Sequence, residues 1–162
     1  MPDYEKVTRD QIMSFLNTTP SANSPTWSII GVGVTEFAQE YNAQTTTEKW
    51  IIHKNATTTT DSYQISGSVS QKCYKGDAVF EFINALRRNA SVGGDCVTQI
   101  LDVDMYDETS SAYKATLYDC NISIDTYGGE DAVIEYTISY NGDPTLGTVT
   151  ITGGVPTFTP TV

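Results

Sequence analysis

Residues 71–89 constrain the fold most, because they pass from a strand pattern to a helix pattern within a few positions. The segment ends an alternating strand, turns at Gly76 and continues as an amphipathic helix over about residues 77–89. Asp77 is placed to accept hydrogen bonds from the first free amides of this helix. Its apolar side chains recur with helical period and form one stripe that faces a core: Val79, Phe80, Ile83 and Leu86. Since most of the remaining chain is typical of strands, we expect a mainly β fold with one flanking helix.

The clearest strand pattern lies near the C-terminal end of the chain. Apolar and polar residues alternate over residues 134–140, as in a strand with one buried face. The sequence Asn141-Gly142-Asp143-Pro144 that follows is a turn signal, and residues 148–152 are again strand-like. These segments therefore predict a β-hairpin.

A short helix is also predicted near the N-terminus. Thr8 and Gln11 have the spacing of a capping box, and four apolar residues follow at positions 12, 13, 15 and 16. This pattern predicts a helix over about residues 9–16, followed by a polar linker that extends to residue 25. We therefore expect residues 1–25 to be an N-terminal arm and residues 26–162 to form the main domain.

Residues 42–61 are predicted to be a long extended loop. Threonine-rich flanks enclose the apolar residues Trp50, Ile51 and Ile52. Connections of this length are unusual in a small domain and are often functional. On a monomer these three apolar side chains would be exposed and would favour aggregation. Between subunits of an oligomer they would form a buried contact. The candidate contact residues are Thr47, Glu48, Lys49, Trp50, Ile51, Ile52, His53 and Lys54.

Composition narrows the classes of function. The formal net charge is −11, from 20 acidic and 9 basic residues, which argues against stable binding to nucleic acid. It is compatible with a surface past which nucleic acid slides, although solubility alone is a simpler explanation. The three cysteines are odd in number, lie far apart and form no Cys-x-x-Cys pair, so a disulfide framework is not indicated and a reduced compartment is expected. No motif indicates a metal or another cofactor. The sequence shows no secretory signal and no apolar stretch of membrane-spanning length, so no membrane insertion is expected.

The candidate catalytic groups do not form a recognisable active site, so we expect no enzyme. His53 is the single histidine and has no nucleophile motif beside it. The densest acidic cluster fits a calcium-binding loop poorly, because it lacks the glycine and the final glutamate of such loops. These acids are better explained as solvent-facing or pore-lining groups: Asp102, Asp104, Asp107 and Glu108.

Four stretches, in order along the chain, resemble the major tail tube proteins of bacteriophages with long non-contractile tails, in the form common among phages of low-GC Gram-positive bacteria. They are residues 47–57 around Trp50-Ile51-Ile52, residues 71–77 with Phe80-Glu81-Phe82-Ile83, residues 121–129 and residues 138–148. The likeness covers roughly residues 26–160.

This resemblance implies a β-sandwich or barrel-like fold with one flanking helix, in hexameric rings stacked into a tube. Residues 42–61 would contact the next ring or subunit, Arg87 and Arg88 would be available to a neighbouring subunit, and acids would face the lumen or the surface. Implied partners are other copies of this chain, a tape measure protein, and tail terminator and distal tail proteins. Double-stranded DNA would pass through the tube without binding stably to its wall. The implied location is the virion tail, assembled in the cytoplasm of the bacterial host.

Two other functions are compatible with the sequence. A headless phage tail-like particle or injection device would use the same fold. A carbohydrate-binding or adhesin sandwich would instead display aromatic side chains, and the chain has two tryptophans, Trp27 and Trp50.

Overall fold

The computed structural model describes residues 2–161, and its main feature is one curled antiparallel sheet. Seven strands form this sheet in the order β2-β1-β6-β7-β8-β5, with β9 also paired to β8, and β3 and β4 form a separate two-stranded sheet. The expected mainly β, barrel-like fold with one flanking helix is confirmed. The elements are β1 Ile12–Asn17, β2 Trp27–Ile29, β3 Ala43–Glu48, β4 Thr57–Tyr63, β5 Ser66–Lys72, α1 Ala78–Arg88, β6 Val97–Thr109, β7 Ala112–Gly128, β8 Val133–Thr152 and β9 Val155–Pro160, with 3-10 turns at Arg9–Gln11 and Gly93–Cys96.

Strand β8 is a single element of 20 residues, so the hairpin predicted within it is wrong. Its first part pairs with β5, its second part pairs with β9, and β7 runs beside both. The register between β7 and β8 shifts within this part of β8. Leu117 pairs with Thr145, whereas Asp119, two residues further along β7, pairs with Asn141, four residues earlier in β8. Gly142, with φ of 71°, lies in the resulting bulge. The turn residues therefore bend a continuous strand, because β7 is long enough to hold the segments on both sides of them.

The sheet buries apolar side chains on both faces of its middle strands. On one face, Leu16, Ile100 and Cys120 belong to a core that also includes the helix. On the other face, Phe15 and Leu101 belong to a second cluster within the curl of the sheet. The apolar positions of β7 change parity near Leu117 for two reasons: the strand is covered on both faces, and its register shifts there.

Helix α1 is attached to the sheet by its apolar stripe and by its N-cap. Val79, Phe80, Ile83 and Leu86 are its buried residues. The Asp77 carboxylate accepts from the Phe80 amide at 3.0 Å and from the Gln71 side-chain amide at 2.9 Å. Gln71 is fully buried in β5, and its carbonyl oxygen accepts from the Tyr136 hydroxyl at 3.0 Å. One buried amide thus ties the start of the helix to β8.

The N-terminal helix predicted over residues 9–16 is wrong. Its first turn exists as the 3-10 turn Arg9–Gln11, where the Thr8 amide donates to Gln11 Oε1 at 3.0 Å. The chain then becomes strand β1, which pairs with β6 and β2 inside the main sheet. Because Phe15 and Leu16 pack on opposite faces of the sheet, their adjacent apolar positions imitate a helical pattern.

Residues 12–17 of the predicted N-terminal arm are therefore part of the main sheet. The outermost residues of the two predicted ranges, Met1 and Val162, lie outside the described part of the chain.

Candidate functional site: a projecting hairpin and its anchor

Residues 43–63 form a β-hairpin rather than an extended loop, and we call this element the projecting hairpin. Its strands β3 and β4 pair with each other from Ala43 opposite Tyr63 to Glu48 opposite Thr57. All residues of both strands are exposed. Cross-strand threonines support the pairing, with Thr47 Oγ1 and Thr58 Oγ1 2.9 Å apart. Threonine suits an exposed strand because its branched Cβ favours extended backbone and its hydroxyl is solvated.

The end of the projecting hairpin carries three exposed apolar side chains, which we call the apolar tip. Trp50, Ile51 and Ile52 are 61%, 103% and 77% exposed. The indole of Trp50 stacks on the imidazole of His53 with the ring centroids 5.7 Å apart, and the His53 amide donates to the Trp50 carbonyl at 3.0 Å. The turn is therefore ordered by its own contacts while its apolar side chains face solvent.

Backbone hydrogen bonds hold the root of the projecting hairpin against β5. Glu40 and Ser66 exchange two of them, at 2.7 and 3.0 Å, and the Gln64 amide donates to the Tyr41 carbonyl at 3.1 Å. Just before the root, the Phe37 ring packs closely on Gly67 of β5. A Cβ at Gly67 would lie 2.5 Å from the ring, so this contact requires glycine.

Side chains add a second anchor, centred on Asp102 of β6. The Asp102 carboxylate accepts from Ser14 Oγ at 2.6 Å, from Gln39 Nε2 at 2.6 Å and from the Tyr140 hydroxyl at 3.3 Å. Gln39 also donates to the Tyr140 hydroxyl at 3.0 Å and accepts from Tyr41 at 3.2 Å. Residues from β1, β6, β8 and the hairpin root thus meet at one carboxylate.

Burial raises the pKa of Asp102 from 3.8 to about 6. Desolvation is the largest cause, and the nearby Asp104 carboxylate adds to it. The hydrogen bonds from Ser14, Tyr140 and Gln39 act in the opposite direction, because they stabilise the charged form. Asp102 therefore differs from the surface or lumen acid that the sequence predicts, since its carboxylate faces the protein.

The other candidate charged residues have different surroundings. Asp104 lies on the same strand and its pKa is raised, mainly by desolvation. Asp107 forms an ion pair with Lys114 at 3.0 Å, and Glu108 is exposed beside a register shift in β6. Arg87 is engaged within the subunit, because its guanidinium lies 3.7 Å from the centre of the Tyr127 ring and its Nε donates to Asn84. Arg88 is exposed at the end of α1.

The sequence patterns gave no sign of Ser14, Gln39 and Tyr140 as partners of Asp102. Ser14 and Gln39 lie 88 and 63 positions from Asp102, so no local spacing joins them. Among residues 2–161, no group of three or more histidine, cysteine or acidic side chains is placed to hold a metal ion. No helix within the same range has the length and apolar character needed to cross a membrane.

Comparison with solved structures finds the same fold in tail assemblies. The chain aligns with a subunit of the SPP1 tail tube, a hybrid solid-state NMR and cryo-EM structure, with a TM-score of 0.58 and 13% identity over 96% of this chain and 81% of that one. It aligns with the tail of an empty GTA particle, refined with C6 symmetry, with a TM-score of 0.57 and 12% identity over 86% of this chain and 98% of that one. No protein-family model and no curated protein matches the sequence. At these identities the likeness shows a shared fold.

Proposed function

We propose that this protein is a structural subunit that self-associates into hexameric rings, and that the rings stack into a phage tail tube through which DNA is ejected. The observation that carries the proposal is the projecting hairpin with its exposed apolar tip, on a fold shared with the SPP1 tail tube and the GTA tail. A tube subunit needs a fixed body and a contact that reaches beyond it. In this chain, the sheet would be that body and the projecting hairpin would make that contact.

The energetics of the apolar tip favour a buried partner. Full burial of one large apolar side chain contributes roughly 1.5–3 kcal/mol. Trp50, Ile51 and Ile52 make almost none of this contribution in the isolated subunit, because each remains mostly exposed. Aromatic residues at the centre of a contact often supply much of its binding energy. Self-association is therefore the simplest role for an ordered, solvent-facing tip.

Electrostatics fit a conduit for DNA. With a net charge of −11, the subunit repels phosphates, and repeated copies around a lumen would strengthen that field. Asp104, Asp107 and Glu108 are our candidates for lumen-facing acids. Asp102 contributes less, because its carboxylate is enclosed by its own subunit. The tape measure, tail terminator and distal tail proteins would then contact the assembled tube.

Electron microscopy of the concentrated purified protein tests this function. We expect stacked rings or tubes, with six-fold symmetry in end-on views of single rings. Particles that remain monomeric over a wide range of protein and salt concentrations would contradict the proposal.

A further inference from the structure

An apolar groove lies beside β1, and we call it the β1 groove. It has a volume of about 460 Å³, and Ile12, Met13, Ile30 and Val34 contribute apolar side chains to its lining. Asp10 and Glu36 line it as well, and both are exposed. Arg9 is the third charged lining residue, and its guanidinium donates to the carbonyls of Ile12 and Phe37. Ile12 is 41% exposed although it lies at the start of a paired strand. The groove therefore offers apolar surface with carboxylates beside it.

The apolar tip cannot reach the β1 groove of its own chain. The groove includes Phe37, which lies next to the root of the projecting hairpin. The paired strands of six and seven residues carry the tip roughly 20 Å away from that root, at about 3.3 Å per residue. Because cross-strand pairing keeps the hairpin extended, a tip that enters the groove must come from another copy.

We propose that the apolar tip of one copy docks in the β1 groove of a second copy, which identifies the receiving surface of the assembly contact in the proposed tube. Trp50, Ile51 and Ile52 match the apolar lining. Lys49 and Lys54, which flank the tip, match Asp10 and Glu36 in charge. Lys49 and Lys54 outnumber Glu48 beside the tip, and Asp10 and Glu36 outnumber Arg9 in the groove, so the two surfaces have opposite net charge.

Two other concave surfaces fit this tip less well. The groove between α1 and β7 has apolar residues such as Leu86 and Ile122, but its one charged lining residue is Arg87, so it has no carboxylate to pair with Lys49 and Lys54. The cleft along β5 and β8 contains the acids Glu40, Asp125 and Glu135 and shares Glu36 with the β1 groove, but serine and threonine make up much of the rest. The β1 groove combines an apolar lining with negative charge.

The proposed contact is heterologous, since each copy gives one tip and receives another. Such contacts close into rings or continue into open stacks, depending on the rotation between copies. Docking of tip into groove therefore supplies one repeating link of a tube and leaves the other contacts between copies to the body of the subunit.

Site-specific photo-crosslinking in the full chain tests the contact. A benzophenone amino acid replaces Ile51, which is fully exposed, and this copy is assembled with an isotopically labelled wild-type copy. We expect crosslinks from position 51 to labelled peptides at residues 10–13 and 30–34, which line the β1 groove but neither of the two rival surfaces. Crosslinks that map mainly to the α1–β7 groove or the β5–β8 cleft in assembled tubes would overturn the docking site but leave the proposed function intact. Failure of the wild-type protein to assemble would overturn both.

A groove-filling substitution provides the matched variant. Gly31 lines the groove, and a Cβ added there would meet only Ile29 Cγ1, at 4.0 Å, so Gly31→Phe is expected to fold. In the labelled copy this change should reduce the crosslink yield at least about tenfold, which corresponds to about 1.4 kcal/mol. Gly94→Phe is the control, because Gly94 lies outside the groove and has open space around it. Equal yields from the two variants would contradict the proposal.

Charge reversal tests the acidic rim separately. Lys49→Glu with Lys54→Glu should raise the protein concentration needed for assembly by about tenfold, as expected for the loss of two partly exposed ion pairs. Mixing that variant with one carrying Asp10→Lys and Glu36→Lys should restore the crosslink from tip to groove. No recovery in the mixture, with both variants folded, would contradict the charge match.

Discussion

Asp102 shows how one side chain joins distant parts of the chain. Its carboxylate connects β1 through Ser14, β8 through Tyr140 and the hairpin root through Gln39. Burial makes the charged form costly, and the three donors offset only part of that cost. The hydrogen bond from Gln39 therefore connects the root of the projecting hairpin to a side chain whose charge depends on pH.

Asp102 predicts a pH-dependent stability. Because its folded pKa of about 6 exceeds the ordinary value of 3.8, its stabilising contribution is complete below pH 3.8 and is lost as pH rises through 6. The free energy of unfolding of the wild type, relative to Asp102→Asn, should therefore increase by about 2 kcal/mol from about pH 7 to about pH 4.5. Urea unfolding at both pH values measures this difference.

Asp143→Asn is the matched control, because it removes one carboxylate from an exposed position. A wild-type minus Asp102→Asn difference that stays constant, or that shrinks on acidification, would show that the carboxylate is not penalised in the folded state.

The sequence identified Asp102 as one of four acids in a cluster but not as the member that faces inward. Its strand pattern places Asp102 and Asp104 on one face, since side chains alternate along a strand. Burial differs between the two because Ser14 and Gln39 approach Asp102 from segments far away in the chain. Such tertiary contacts leave no periodic signal.

At the scale of elements, the helix was predictable because its signals are local. The expected range of about 77–89 matches α1 Ala78–Arg88 with Asp77 as N-cap and Asn89 as C-cap. The strands at both ends were harder to predict, because non-local pairing determines them. Strand β1 is helix-like in pattern since both its faces are buried, and β8 contains turn residues that its long neighbour β7 keeps in the sheet.

The cap of α1 gives a testable prediction. Asp77→Ala removes the acceptor of the Phe80 amide and one acceptor of the buried Gln71 side chain. We expect the free energy of unfolding to fall by about 2 kcal/mol, as for loss of an N-cap together with a buried hydrogen bond. Chemical denaturation provides the measurement. Asp95→Ala, which removes an exposed acid in the 3-10 turn Gly93–Cys96, should cost far less, and equal losses would argue against the buried link.

At the scale of the whole molecule, folding and assembly should be separable. Replacing residues 49–56 by Asn-Gly would join Glu48 and Thr57, which already face each other, through a two-residue turn. Because the removed segment is exposed, the free energy of unfolding should change by less than about 0.5 kcal/mol. Tubes should be absent in electron micrographs of this variant. Tubes of normal appearance would show that the apolar tip is dispensable.

The position of β8 in the chain has a kinetic consequence. Three strands pair with β8, and it begins only at Val133. A nascent chain that ends before it has no strand partner for β5 or for residues 122–128 of β7, which lie beyond the pairing of β7 with β6. Pairing between β1 and β6 adds contacts of long sequence separation, and folds rich in such contacts form slowly. The sheet should therefore close late, after most of the chain has been synthesised. During that interval, unpaired strand edges are open to misassociation, so dilution and chaperone binding should increase the yield of native subunits.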